Sequence, residues 1–204
     1  MNNISFNEDQ IDVLKEFMNI SLGDATAHVA ELLDAFGTMH IPQITIIDAS
    51  DLSSFINVNM DNNLNYHVAK QLFSGKFGGE CLFIINEESA NNLGTHIYDI
   101  EQPSQMDVND AVMELTNIVT SSIISRFANE LDVEVQYFVP SSSFIKASSI
   151  VDKDEMTNYS KVIVVGTDLK FLDQNISASI FILTKDEAIN SLKFLIDQKI
   201  EELY

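Results

Sequence analysis

The sequence holds a single cysteine, Cys81, so no disulfide can form within the chain. Its surroundings, ECLFII, read as a strand in which the thiol is one more small buried apolar group. That usage fits a reducing compartment. Positive charge is also scarce. Eleven Lys and Arg stand against 31 Asp and Glu, a formal net charge of −20. Such a field repels phosphate backbones and anionic lipid surfaces, so nucleic acid is not an expected partner. No apolar run approaches the ~18 residues that a membrane span needs, and no positively charged, then apolar segment opens the chain. The expectation is a cytoplasmic protein without membrane insertion.

Several kinds of chemistry lack their residues. GKFGG does not have the spacing of a Walker phosphate loop and reads as a hairpin turn. His28, His40, His67 and His96 are scattered, without metal-ligand spacing, and read as satisfied or solvated side chains. Low-complexity segments are absent.

What is present is enough for a core. The 204 residues are 46% hydrophobic, which suits one sizeable domain or two small ones. Asp9 to about Ala35 has helical periodicity, with Asn7 as the expected N-cap and Gly37 as the expected stop. IPQITIID then reads as a strand opened by Pro42, where a missing N–H is tolerated. LNYHVAKQL and GECLFIIN read as a hairpin around SGKFGG, followed by a short helix that Glu87 and Glu88 favour at its start. The order then recurs: a helix from Asp107 to about Leu131, the strand VEVQYFVP, a second hairpin from KVIVVGTDLKF and ISASIFILT, and a closing helix. SSSF after Pro140 and DKDEMTNYS read as loops.

Sliding the chain on itself by 98 residues brings Asp12 onto Asp110, Glu16 onto Glu114, Asn19 onto Asn117 and Pro42 onto Pro140. Ala30 meets Ala128, Leu33 meets Leu131 and Asp34 meets Asp132. Phe83/Phe181, Ala90/Ala188 and Asn92/Asn190 match in the same register without a gap. Apolar matches follow from packing alone. The Asp, Glu and Asn matches lie on the polar side of the helices, where packing does not dictate identity. A duplicated unit explains them.

In each copy the polar residues fall at i, i+4 and i+7 of one helical face, with a small residue, Gly23 or Ser121, at i+11. Another protein can approach closely there. Asn does not titrate, but it offers one acceptor and two donors, enough to hold and aim a water. Glu can pair with a cation. The set contains no Ser, Cys or Thr nucleophile with a His base. Each candidate site is therefore incomplete unless a partner brings a phosphoryl group and its metal, in which case positioning and electrostatics suffice.

The duplicated pattern Asp-x3-Glu-x2-Asn-x22-Pro resembles the signature of the CheC/CheX/FliY chemotaxis phosphatases. FMNISLGDATAHVAELL is similar to the first CheC helix, though less Gly-rich after Asn19, and ELTNIVTSSIISRFANEL to the second. CheX-type chains carry one such motif, FliY-type chains add a flagellar switch domain, and related motor switch proteins lack the Glu and Asn pairs. With two motifs and a sequence stopping at Tyr204, the expectation is the CheC type. The resemblance implies a phosphatase of phosphorylated CheY-like response regulators. Asn19 and Asn117 would orient the attacking water, and Glu16 and Glu114 would pair with the regulator's lysine. Asp12 and Asp110 would support the helix start or the rim, and Pro42 and Pro140 the backbone. Mg2+ would come with the regulator, and CheD, a receptor-modifying deamidase, is a further implied partner. The alternative is a non-catalytic module that regulates CheD or sequesters the phosphorylated regulator.

The expected architecture is α+β: one domain over residues 1–204 built from two similar halves, about 8–98 and 106–204. Their strands would merge into a mostly antiparallel six-stranded sheet, with both motif helices on one face. Because receiver domains are often acidic too, added salt should help binding or cost it little. A steep loss of affinity between low and moderate salt in a titration would show that complementary charge dominates instead.

Overall fold

The computed structural model describes residues 6–39, 43–61, 63–151, 160–185 and 187–203. Helix α1 (Glu8–Leu32) starts where Asn7 predicts. Asn7 Oδ1 accepts from the Gln10 backbone N–H at 2.8 Å, and the Asn7 N–H donates to Gln10 Oε1 at 2.9 Å. Such a box satisfies two N–H groups that the helix itself cannot, and is worth about 1 kcal/mol. Leu14, Met18, Leu22, Ala25 and Val29 make its buried stripe. Its counterpart α4 (Gln105–Glu130) opens on a similar box, Ser104 with Asp107.

Gly37 does not end α1. The chain turns at Asp34, which takes a left-handed φ of 43°, and Asp132 does the same after α4 at 53°. Asp tolerates this region because its short side chain can bond locally. Gly37 instead opens strand β1 (Gly37–Met39), where a Cβ would lie 2.4 Å from the Phe171 ring.

The sheet has eight strands in six positions. β1 and β2 (Gln43–Asp48) both pair with β7 (Lys161–Phe171), and β5 (Val135–Tyr137) and β6 (Ser141–Lys146) both pair with β3 (Asn65–Gly75). The centre is β7–β8–β4–β3, with β8 at Ile176–Lys185 and β4 at Gly79–Asn86, and every pairing is antiparallel. The expected six-stranded sheet is thus present, with each edge strand broken in two.

Two loop assignments change or fall outside the structure. Ser141–Phe144, expected as loop, form the start of β6, whose Ser141–Lys146 ladder runs along β3. Hydroxyl-bearing residues suit an exposed edge, where backbone pairing rather than side-chain burial holds the strand. Conversely, VEVQYFVP is strand only at Val135–Tyr137. Nearly all of DKDEMTNYS, together with His40 and Pro42, lies outside the described residues.

The duplication is visible in the topology, but not in one ungapped register. The 98-residue offset relates β1 to β5, β2 to β6 and the 3-10 turn Ala49–Asp51 to Ala147–Ser149. It becomes 96 in the next strand, since Gln43 pairs with Gly166 whereas Ser141 pairs with Lys70. It becomes 99 in the one after, since Val68 pairs with Ile84 and Val164 with Leu183. Phe83/Phe181, Ala90/Ala188 and Asn92/Asn190 are therefore not equivalent positions. The connecting loops differ in length, and apolar residues recur often enough to match across them. In α3 (Glu87–Tyr98) and the closing helix α5 (Glu187–Leu203), Ala90, Leu93 and Ile97 correspond to Ile189, Leu192 and Ile196.

The four long helices share one face of the sheet, and their buried side chains join those of the strands in one cluster centred on Phe83, Leu115, Ile123 and Phe171. The short helix α2 (Leu52–Ile56) and the two turns Ala49–Asp51 and Ala147–Ser149 cover part of the other face, over Val68, Leu82, Val162 and Leu183. Both motif helices therefore lie on one side, as expected. Among the described residues, no helix is long and apolar enough to cross a membrane.

Candidate functional site

Helices α1 and α4 pack antiparallel. Asp24 of α1 forms an ion pair with Arg126 of α4 at 3.2 Å, and His28 Nδ1 lies 3.3 Å from Ser122 Oγ. The two contacts are related by the 98-residue offset, Asp24 to Ser122 and His28 to Arg126. Arg126 is the chain's only arginine. Half-exposed on both sides, its pair with Asp24 is worth at most about 1 kcal/mol, so apolar burial along the helices holds them together.

This packing decides where the candidate residues go. Glu16 and Asn19 stand one turn apart on the solvent side of α1, and Glu114 and Asn117 likewise on α4; all four are exposed. Their neighbours Leu14, Met18 and Leu115 are buried. The antiparallel contacts set Asn117 level with Leu33, just past the end of α1. The two pairs are therefore roughly 20 Å apart along the helix axes, at 1.5 Å per residue. They are two separate sites on one surface, not one composite centre. Gly23 is exposed, and a Cβ there would meet nothing within 4 Å. Ser121 is half-buried, with its hydroxyl donating to the Ile118 carbonyl at 3.2 Å.

The supporting residues divide. The helix starts are held by Asn7 with Gln10 and by Ser104 with Asp107, so Asp12 and Asp110 take no part in capping. Asp12 is exposed, with its carboxylate 4.0 Å from Lys15 Nζ. Asp110 is half-buried beside Tyr98. The Tyr98 phenol is pushed above its ordinary range, first by burial and then by the charges of Glu114, Asp110 and Asp107. The carboxylates of Glu114, Asp110 and Asp107 thus place negative potential beside Tyr98 at the second site. Pro140 sits in the link between β5 and β6.

The two sites differ in one contact that sequence reasoning missed. Asn117 Oδ1 accepts from Gln71 Nε2 at 2.7 Å, and the same nitrogen donates to the Phe138 carbonyl at 3.0 Å. Gln71 is 1% exposed on β3. A signal was available: His67, Ala69, Gln71 and Phe73 alternate along one strand face, so Gln71 puts an amide where that face meets the core. Asn19 makes no hydrogen bond to a described residue.

The other reactive side chains are occupied elsewhere. Cys81 is fully buried, and burial pushes its pKa up to about 12, so it is a neutral thiol at physiological pH. His67 stacks on Phe144 with ring centres 4.6 Å apart, and burial lowers its pKa. The His96 ring meets the Leu33 carbonyl at the end of α1. Among the described residues, no three His, Cys, Asp or Glu side chains converge as metal ligands.

The sequence matches no family model, and no curated protein is a significant match. Solved structures do match. FliY from Thermotoga maritima superposes with a TM-score of 0.75 at 12% identity, covering 95% of this chain and 98% of that one. The FliM middle domain from H. pylori gives 0.64 at 12% identity, over 93% and 99% of the two chains. CheX from Vibrio vulnificus gives 0.58 at 17% identity, over 84% and 99%. The chain has the fold that these proteins share.

Proposed function

We propose that this chain, built on the fold of FliY and CheX, hydrolyses the aspartyl phosphate of a CheY-like response regulator. The observation that carries the reading is the presentation of two Glu/Asn pairs, each one helical turn apart, on the exposed side of two related helices. Apart from the bond between Asn117 and Gln71, no hydrogen bond or ion pair among the described residues calls for Glu or Asn at these positions.

In this reading Glu16 or Glu114 pairs with the regulator's active-site lysine and docks it. Asn19 or Asn117 reaches the phosphoryl group and holds a water in line with the scissile bond. The water oxygen attacks phosphorus and the bond to the aspartyl oxygen breaks. The aspartate leaves as carboxylate, and both hydrogens of the water end on the released phosphate. Mg2+ bound by the regulator neutralises phosphoryl charge, and this chain supplies orientation. Open space around Gly23 leaves room for the regulator to approach the turn after Asn19.

The test is steady-state phosphate release from a CheY-type receiver kept phosphorylated by a small-molecule phosphodonor. Catalytic amounts of the chain should raise release by about 10-fold or more. Binding to the phosphorylated receiver with no added release would sink the hydrolysis reading. It would favour the rival, a non-catalytic module that sequesters the regulator or controls CheD, in keeping with the same fold in the FliM middle domain.

A further inference from the structure

We infer that Gln71 is a positioning residue for Asn117, and that it makes the two sites unequal, with the Glu114/Asn117 site preorganised and dominant; this rests on the hydrolysis proposed above. The argument is one of donors and acceptors. A backbone carbonyl can only accept. The end of the Gln71 amide that faces the Phe138 carbonyl must therefore be its NH2 group. The second hydrogen of that nitrogen points at Asn117 and needs an acceptor, which only Oδ1 supplies. Both amide orientations are thus determined by one main-chain oxygen. Asn117 turns its carbonyl oxygen inward, and its own NH2 faces away from the strand as a donor pair.

Among the described residues the first site has no equivalent. The strand registers place Thr167 opposite Gln71 in the duplicated unit, because Ser141 pairs with Lys70 and Gln43 with Gly166. A threonine ends at a β-hydroxyl, two bonds short of the reach of a glutamine amide. Among the described residues nothing holds Asn19 before the partner docks, whereas Asn117 meets the phosphoryl group already aimed.

The experiment places Gln71→Leu, which keeps the side chain's bulk and removes its donors, in two single-site backgrounds. In Asn19→Ala, where only the second site works, kcat for receiver dephosphorylation should fall about tenfold with KM little changed, since Glu114 still docks. In Asn117→Ala, where only the first site works, Gln71→Leu should change neither constant. Equal losses in both backgrounds, the mark of a structural role, would overturn the inference, as would no loss in Asn19→Ala. A second measurement needs neither variant of Gln71 nor catalysis. In the 1H–15N spectrum of the unaltered chain, the Gln71 side-chain NH2 should be protected from solvent exchange, and Asn117→Ala should remove that protection from one of its two protons. If no variant or wild type releases phosphate, the hydrolysis reading has failed, and this spectrum alone decides the positioning: protection lost with Asn117 supports it, and exchange as fast as in an exposed glutamine overturns it.

Discussion

Replacing both Asn19 and Asn117 with alanine should abolish most of the accelerated phosphate release, a fall in kcat of about 10²-fold, the scale for removing one oriented hydrogen-bonding group from a transition state. The double variant should still bind the phosphorylated receiver, because Glu16 and Glu114 are untouched and the asparagines are too exposed to hold the fold. All four side chains are exposed on α1 and α4, so truncation leaves no cavity. The unfolding midpoint should therefore match wild type in Asn19→Ala, while Asn117→Ala should cost about 1 kcal/mol, because it leaves the buried Gln71 amide one acceptor short. Of the single variants, Asn117→Ala should lose more than Asn19→Ala, because Asn117 is already held by Gln71. A double variant as active as wild type would remove water positioning from the mechanism. Loss of binding along with activity would instead make the asparagines docking groups.

Gly79→Ala should destabilise the fold by about 3 kcal/mol, while the same substitution at Gly23 should stabilise it by up to about 1 kcal/mol. At Gly79 the added Cβ would lie 2.3 Å from the Leu183 carbonyl oxygen and 2.8 Å from the Phe73 ring. Leu183 belongs to the β4–β8 ladder that joins the two halves, and Phe73 to the main core, packed in turn on Phe77. Neither can retreat without opening hydrogen bonds or displacing buried aromatic rings. Gly23 stands on an exposed helical turn with open space around its Cα. There alanine meets nothing and reduces the freedom of the unfolded chain. Urea denaturation reads both, as a shift of midpoint at constant slope. For a chain of this size the Gly79 loss corresponds to a melting temperature lower by roughly 6–12 °C. Equal and small effects at the two positions would mean that the sheet centre relaxes around a methyl group.

The motif helices and the repeat of their polar faces can be read from the residues alone. Leu14, Met18 and Leu22 recur at helical spacing, Asn7 offers its cap, and Glu16/Asn19 and Glu114/Asn117 repeat on the polar faces. These are local or strictly periodic signals, and each can be read without knowing what lies across the core. Sheet registers were not legible in the same way. Loops of unequal length shift the ladders to offsets of 96 and 99, and apolar residues are interchangeable enough to hide it. Edge strand β6 was missed because its serines carry no hydrophobic alternation, and its pairing with β3 comes from backbone groups alone.

The inequality of the two sites is the clearest product of the tertiary structure. By residue type and spacing the two Glu/Asn pairs are identical. What separates them is a glutamine on β3, 46 residues before Asn117, against a threonine on β7 in the other half. A hydrogen bond depends on distance and direction in space. Only the pairing of β3 beneath α4 brings that amide, and the Phe138 carbonyl that orients it, within reach of one asparagine and not the other.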